Sequence, residues 1–236
     1  MGFDFDDLIL DDFEDEEDIP KSQHPEKAQE NKKKPASNTR PDGTPMRYHT
    51  LRAQKQYEKR RAFSEKNLLD EFEWHLQDGC VYCVISGGDV DQLSFLKLVL
   101  RNQALQYCLL SSWCFGIEDV QEIKSWVKKG LIKRIDFYTG EIARASYEMC
   151  TRDLSQIARS TGGRCAVFRN HSKVILAYGS QYTCAILSSA NVNTNPRTEN
   201  TTIICSREVA DFYKDFFDGI NPFNKGFEDW KKAVIE

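Results

Sequence analysis

Five polar side chains between positions 171 and 199 have the types and spacing to act together on a phosphate group. His171 and Lys173 stand two residues apart at the head of an apolar run, and residues two apart on a strand point to the same side. Ser189 and Asn191 end the next apolar run, which an antiparallel hairpin would return to the start of the first. Glu199 follows in the loop beyond. The spacing therefore predicts one small site.

These groups suit the transfer of a phosphoryl group. Lys173 can neutralise the charge of a phosphate, while Asn191 and Ser189 can donate to its other oxygens. His171 can attack phosphorus as a nucleophile or deliver a proton to a leaving oxygen. We expect Glu199 to hold the imidazole in the required tautomer and to favour its charged form.

The elements that would position this site alternate between strand and helix. Apolar strands separated by helices at this spacing are typical of parallel strands with helical crossovers, and nearly continuous apolar strands are covered by helices on both faces. The strand-like stretches are GCVYCVISGG, LQYCLLSSW, LIKRIDFYTG and RCAVFRN, followed by the hairpin HSKVILAYG and YTCAILSSAN and by a last strand TTIICS. The helix-like stretches are DVDQLSFLKLVLRNQ, GIEDVQEIKSWVKKG, SYEMCTRDLSQIARSTGG and REVADFYKDFFDG. The predicted fold is α/β, with a mixed, largely parallel sheet flanked by helices on both faces.

We assign this domain to residues 79–236 and a leading helical segment to residues 47–78. The segment has few helix breakers, and its apolar residues recur at spacings of three and four along one face, at Leu68, Leu69, Phe72 and Leu76. Residues 1–46 are expected to be a disordered tail, acidic and then basic.

The net charge of −4 conceals a strong asymmetry. Residues 1–19 hold ten acids and no base, whereas residues 20–61 hold twelve Lys or Arg against four acids. The acidic part, which also contains Phe, Leu and Ile, is interpreted as a disordered tail, as a motif that docks on a protein partner, or as a decoy for the protein's own basic surface. The basic part is either a solvated linker or a loose contact for nucleic acid through counterion release.

Composition limits the class of protein. A chain of 236 residues with 40% hydrophobic residues can form one sizeable core. No apolar run approaches the roughly 18–20 residues that span a bilayer, and the acidic N-terminus does not resemble a signal peptide. Most of the eight cysteines lie in apolar strands, which favours reduced thiols in a cytoplasm. Cys80 and Cys83 have zinc-ligand spacing but no second pair, so no metal is expected.

The joint pattern of His-x-Lys, an apolar hairpin, Ser-x-Asn and a downstream Glu resembles the phospholipase D superfamily. The resemblance covers about Cys80 to Ile220 and is greatest to the small, single-motif, nuclease-like branch carried by bacteria and phages. It implies that His171 forms a phosphohistidine in one copy and acts as the acid in another. It also implies that Lys173 and Asn191 bind phosphate, and that no metal or other cofactor takes part.

The same resemblance assigns the remaining motif positions. Ser189 matches the serine of the family's Gly-Ser-x-Asn, with Ser188 in place of the glycine. Glu199 resembles the downstream acid, although the loop before it is shorter than usual. The family's aspartate, five residues after the lysine, is Tyr178 here. That position lies near the hairpin turn and away from His171, and tyrosyl-DNA phosphodiesterases also lack this aspartate, so we interpret the site as competent.

The mechanism that this family uses needs two histidines on opposite sides of phosphorus, and the chain has one His-x-Lys. We therefore expect an isologous homodimer whose active site crosses the two-fold axis.

Two further residues are candidates for substrate binding. Trp113 either stacks on a base or packs in the core, and Arg197 either contacts phosphate or is solvated. Either Asp89 or Asp91 is interpreted as a helix N-cap, and the pair Gly162–Gly163 as a helix C-cap.

The sequence predicts a metal-independent phosphodiesterase, a nuclease that acts on nucleic acid, with DNA as the expected partner. The alternative is a phospholipase D-like binding or assembly module with weak or no activity, recruited through its charged tail. Hydrolysis of lipid headgroups is disfavoured, because no segment has the pattern of an amphipathic membrane helix.

Overall fold

The computed structural model describes the residue ranges 56–62, 65–71, 76–87, 90–141, 148–193 and 197–235. The strands are β1 Gln56–Ala62, β2 Cys80–Ser86, β3 Leu105–Ser112, β4 Ile135–Gly140, β5 Cys165–Phe168, β6 Val174–Gly179, β7 Thr183–Ser188 and β8 Glu199–Ile204. The helices are α1 Glu65–Glu71, α2 Gln92–Asn102, α3 Ile117–Lys128, α4 Glu148–Ser160 and α5 Arg207–Asp218.

The eight strands form one mixed sheet in the order β1-β2-β8-β7-β6-β3-β4-β5. The pairs β1–β2, β3–β4 and β4–β5 are parallel, and the other neighbours are antiparallel. Six strands consequently point in one direction, and only β6 and β8 oppose them. The mixed, largely parallel sheet predicted from the sequence is confirmed.

Helices cover both faces of this sheet, as predicted. On one face, α2, α3 and α4 bury residues such as Leu96, Ile123 and Leu154 against the strands. On the other face, α5 and the C-terminal segment bury Phe217 and Ala233 against the outward residues of β3, β4, β6 and β7. Both faces of the central strands are therefore removed from water, which explains their continuous apolar sequence.

The strand directions define two edges of the sheet. At the edge that we call the carboxyl edge, β2, β3, β4, β5 and β7 end while β6 and β8 begin. At the opposite amino edge the same strands begin and β6 and β8 end. Because β6 lies between β3 and β7, the stretch that leads into β6 lies beside the ends of both neighbours. This topology brings residues distant in sequence to one place.

The predicted elements from residue 80 onward are all present, including the β6–β7 hairpin. Asp91 caps α2, since its Oδ1 accepts hydrogen bonds from the backbone N–H of Leu93 and Ser94. After α4 the chain turns at Gly162, which has a φ of +72°. A Cβ at Gly163 would lie 1.9 Å from the carbonyl oxygen of Ile135, so this turn requires glycine.

The prediction of a single helical segment over residues 47–78 was wrong. Gln56–Ala62 forms strand β1, which pairs in parallel with β2, and only Glu65–Glu71 is helical. Leu76 is buried but lies outside a helix. One edge of β2 pairs with β8, and without β1 its other edge would present unpaired backbone groups. Pairing of Gln56–Ala62 along that other edge outweighs the helical propensity of this stretch. The proposed tail, residues 1–46, lies outside the described residues.

None of the eight cysteines forms a disulfide, and seven of them are buried. In the ranges given above, no group of three or more His, Cys, Asp or Glu side chains is arranged to hold a metal ion. Over the same ranges, no helix is long and apolar enough to cross a membrane.

Candidate active site

His171 and Lys173 lie in the short segment that leads into β6, and Lys173 directly precedes the first residue of the strand. The backbone of Lys173 is already joined to β7, because its carbonyl accepts a hydrogen bond from the N–H of Ser188 (3.1 Å). The Lys173 ammonium donates to the carbonyl of His171 (2.7 Å) and lies 3.1 Å from the ring Nδ1 of the same residue. The two side chains that the sequence predicted to act together therefore meet, with His171 exposed and Lys173 9% exposed.

The environment of Lys173 disfavours its charge. Burial lowers the pKa of this lysine from its ordinary value, and the neighbouring Cys114 and Glu199 offset that effect in part. Neither of those two side chains is within hydrogen-bonding distance of the ammonium. A buried cation without a carboxylate in direct contact has capacity left for an anion.

Trp113, which follows β3, lies against the imidazole of His171. The ring centroids are 5.4 Å apart and the planes are tilted by 47°. The indole is half-buried, so its place is in the site at the carboxyl edge. Both alternatives that the sequence left open, stacking on a base and packing in the core, stay predictions.

Close contact around Trp113 depends on a glycine. A Cβ at Gly140, the last residue of β4, would lie 2.9 Å from the carbonyl oxygens of both Trp113 and Asn170. Because backbone atoms cannot move aside as a flexible side chain can, this position must lack a side chain. Gly140 therefore allows the ends of β3, β4 and the segment before β6 to approach one another.

Asn170 is a residue of the site that the sequence reasoning missed. Its buried amide group donates to Ser111 Oγ (3.0 Å), to the carbonyl of Ser112 (3.3 Å) and to the carbonyl of Tyr138 (3.0 Å). Its Oδ1 accepts from the N–H (3.0 Å) and Oγ (2.6 Å) of Ser172. Asn170 thus ties the His-x-Lys segment to β3 and β4. Its position directly before the motif was the only signal in the sequence.

Ser189 and Glu199 form a second polar pair at the same edge. Ser189 Oγ donates to Glu199 Oε2 and accepts from the N–H of Asn200 (3.0 Å). The expectation that Glu199 orients the imidazole is not met in this arrangement, since its carboxylate contacts Ser189. Its charge still reaches Lys173 through space.

Asn191 and Arg197 lie in the adjoining loop. Asn191 Oδ1 accepts a hydrogen bond from Ser112 Oγ (3.4 Å), which also accepts from the N–H of Val192 (3.0 Å). Asn191, Arg197 and Glu199 line a small cleft together with Asp91. Arg197 is exposed, so its guanidinium is available at the mouth of this cleft.

The site therefore consists of two groups of side chains at the carboxyl edge. The first is His171, Lys173 and Trp113, and the second is Ser189, Asn191, Glu199 and Arg197. Among the described residues no direct hydrogen bond joins the first group to the second, and the through-space effect of Glu199 on Lys173 is their electrostatic link.

Tyr178, at the position of the family's aspartate, lies at the other end of β6. It pairs with Thr183 beside the hairpin turn and is buried against α5, where its hydroxyl donates to Asp211 Oδ1 (2.9 Å). It takes no part in the group around His171.

The chain matches no known protein-family model, and no curated protein sequence matches it. Several solved structures are similar in part, including the following two. The polyphosphate kinase from Porphyromonas gingivalis has a TM-score of 0.43 and 18% identity, over 61% of this chain and 27% of that one. The phosphatidylserine synthase from Haemophilus influenzae Rd KW20 has a TM-score of 0.40 and 15% identity, over 56% of this chain and 36% of that one. The chain thus spans about a quarter of the first of these two structures and a little over a third of the second.

Proposed function

We propose that this protein is a metal-independent phosphodiesterase that cleaves nucleic acid, with DNA as its substrate, through a phosphohistidine. The observation that carries the proposal is the contact of the buried Lys173 ammonium with His171, beside an aromatic ring and at the edge where Ser189 and Asn191 also converge. A cation, a nucleophile and neutral donors in one place are what a phosphodiester requires.

Substrate binding must rearrange the contacts between Lys173, His171, Ser189 and Glu199. While the charged Lys173 donates to Nδ1 of His171, the ring hydrogen lies on Nε2. Attack by Nε2 needs the other tautomer, so Lys173 has to leave the ring and bind a phosphate oxygen. The same oxygens would draw Ser189 and Asn191 toward the phosphate, which frees Glu199 to accept from Nδ1–H.

The reaction then has two steps. Nε2 of His171 attacks phosphorus, the bond from phosphorus to the leaving oxygen breaks, and a second, protonated histidine gives its proton to that oxygen. In the second step this histidine takes a proton from water, the oxygen of water attacks phosphorus, and the phosphorus–nitrogen bond breaks. The product is a phosphomonoester, and both histidines return to their starting state.

The second histidine would come from His171 of another copy in a two-fold dimer. Three exposed apolar side chains at the carboxyl edge support an interface there, namely Ile85 (51% exposed), Ile117 (55%) and Met149 (61%). They lie at the end of β2 and at the starts of α3 and α4. Large apolar side chains around a polar site are typical of a surface that another protein covers.

Two features support a nucleic acid as the substrate. The half-buried indole of Trp113 offers a surface on which a base can stack beside the scissile phosphate. Arg197 is exposed at the mouth of the cleft and can contact a neighbouring phosphate. The basic stretch of residues 20–61 would add attraction that does not depend on sequence.

The test is a nuclease assay on single-stranded and double-stranded DNA with a chelator present. We expect the wild-type protein to cleave and His171→Ala to lose at least about a thousandfold in rate. The matched control is His75→Ala, a histidine outside the motif, which should cleave at the normal rate. Cleavage that survives His171→Ala, or that stops with chelator alone, would refute the mechanism.

A mixing experiment tests whether the site is shared. If both copies of His171 are needed, equal amounts of wild-type and His171→Ala chains that re-pair at random should give about one quarter of the wild-type activity. Independent sites would give about one half under the same statistics. Light scattering that finds a strict monomer would also exclude the shared site.

A second candidate is a binding or assembly module that keeps the fold without turnover. It is favoured by the contact of Glu199 with Ser189 instead of His171 and by Tyr178 at the position of the family's aspartate. Trapping a phosphohistidine on the wild-type chain would exclude this module. Full biological activity of the His171→Ala protein would support it.

A further inference from the structure

The amino edge of the sheet, opposite His171, contains a cavity of about 550 Å³. It lies where β4 begins, where the turn after α4 leads into β5, and where the C-terminal segment crosses both. We call it the amino-edge cavity. A strand of six residues such as β4 is roughly 20 Å long, so a small molecule bound here cannot reach the carboxyl edge.

Three cationic side chains and one carboxylate line the amino-edge cavity, namely Arg134, Arg159, Lys231 and Asp229. Among the described residues, no carboxylate lies within 4.0 Å of any of the three cations. Cationic side chains without a carboxylate partner at this distance attract an anion.

Both arginines are held in place by backbone carbonyls. Arg134 Nη2 donates to the carbonyl of Lys231, and Arg159 Nη2 donates to the carbonyl of Gly226 (3.1 Å). A guanidinium has five N–H donors, so each arginine keeps donors for a ligand. The buried Nε–H of Arg134 is without a hydrogen-bond partner in the described part of the chain. Fixed guanidinium groups lose little entropy when they bind a phosphate.

Two aromatic rings complete the wall of the cavity. Trp230 is fixed by a hydrogen bond from Nε1 to Asp136 Oδ1 (3.1 Å) and by Arg164, whose guanidinium lies 3.8 Å from the ring centroid. Phe227 lies under the guanidinium of Arg159 at 4.7 Å. Cationic donors next to planar apolar surface match a phosphomonoester that carries a planar ring. Sites for small molecules have volumes of about 300–1,000 Å³, and this cavity has that size.

We propose that the amino-edge cavity binds a mononucleotide. Its phosphate lies among Arg134, Arg159 and Lys231, and its base lies against Phe227 and Trp230. The site is separate from the candidate active site and does not depend on the function proposed for it.

The experiment is calorimetric titration of the full-length protein with adenosine monophosphate, adenosine and inorganic phosphate. We expect adenosine monophosphate to bind at least about tenfold more tightly than either fragment, because charged and aromatic contacts both contribute. Lys231→Glu and Arg159→Gln should each weaken that binding by about tenfold or more.

The matched controls are Lys232→Glu and Arg152→Gln. They change the same residue types on the same segment and on the same helix, at exposed positions outside the cavity lining, and should leave the affinity unchanged. Lys173→Met reports binding at the carboxyl edge. A circular dichroism melt of each variant verifies folding.

Three results would overturn the proposal. The first is no heat of binding for adenosine monophosphate. The second is binding that Lys173→Met removes while Lys231→Glu and Arg159→Gln leave it intact, which would assign the ligand to the carboxyl edge. The third is an affinity for inorganic phosphate equal to that for adenosine monophosphate, which would remove the role of the aromatic wall. None of these outcomes depends on whether the protein cleaves DNA.

Discussion

The two ends of strand β6 differ in how their polar groups are paired. At the Tyr178 end, the phenol hydroxyl donates to Asp211, which also pairs with Arg207 (3.3 Å), and the Arg207 guanidinium lies 5.3 Å from the phenol ring centroid. At the Lys173 end, the buried ammonium contacts the ring and carbonyl of His171 and no other polar group of the described residues, and burial lowers its pKa. One end is electrostatically satisfied, and the other is not.

The difference explains how the chain can carry a tyrosine where the family has an aspartate. The Tyr178 end packs against α5 and contributes to stability. The Lys173 end keeps a charge that the protein compensates incompletely, and an incompletely compensated charge is what a phosphate binds. An electrostatic cost of this kind is expected at functional sites, where local structure departs from what stability alone would select.

The largest expected effect is on activity, from Lys173→Met. The substitution keeps the length of the side chain and removes its charge, so the phosphate loses its cation. We expect cleavage to fall by about a hundredfold or more, while thermal stability is equal to or higher than that of the wild type because a buried charge is gone. Differential scanning calorimetry and the nuclease assay measure both quantities. An unchanged cleavage rate would contradict the role of Lys173 in phosphate binding.

The next effect should be on stability, from Tyr178→Asp, which restores the family's residue. The new carboxylate would be buried beside Asp211 and would lose the hydrogen bond that the phenol donates. We expect a loss of about 3 kcal/mol or more in the free energy of unfolding, with no gain in activity. Tyr178→Phe is the control and should cost about 1 kcal/mol. A more active Tyr178→Asp protein would show that this end of β6 belongs to the site.

Gly140→Ala should have a smaller effect and should reduce both stability and activity. The new Cβ would meet the carbonyl oxygens of Trp113 and Asn170, so we expect a loss of about 1–3 kcal/mol together with slower cleavage. Gly219→Ala is the control, because the nearest atom to its Cβ would be at 3.5 Å. If chemical denaturation gave both variants the same midpoint, close packing at Gly140 would not be what positions the site.

The smallest effect concerns the pH dependence of stability. Asp119, in the first turn of α3 at the carboxyl edge, has its pKa raised from 3.8 to about 6 by burial and by the neighbouring acids Asp91, Glu122 and Glu118. Between pH 3.8 and about 6 the folded state binds more protons at Asp119 than the unfolded state does. Ionisation of Asp119 therefore lowers the free energy of unfolding as the pH rises through this range. Asp119→Asn should therefore be more stable than the wild type above pH 6 and equal to it below about pH 4. Urea denaturation at several pH values tests this sign.

Much of the fold could be predicted from the sequence, since the signals involved are local. Apolar runs bounded by glycine and polar residues identify strands β2 to β8, and the spacing of apolar residues identifies α2 to α5. The exception was Gln56–Ala62, where a helix was predicted. Its pairing with β2 depends on a strand that begins eighteen residues after it ends, and no local pattern contains that information.

The same division applies to the site. The sequence by itself predicted which side chains form the candidate site, His171, Lys173, Ser189 and Asn191, because a strand and a hairpin impose short-range geometry on residues close in the chain. Only the tertiary structure decided that Trp113 lies against His171, that Asn170 ties the motif to β3 and β4, and that Glu199 contacts Ser189. These contacts depend on the order of strands in the sheet. That order is set by burial of two cores on opposite faces, which is a property of the whole chain and of no single segment.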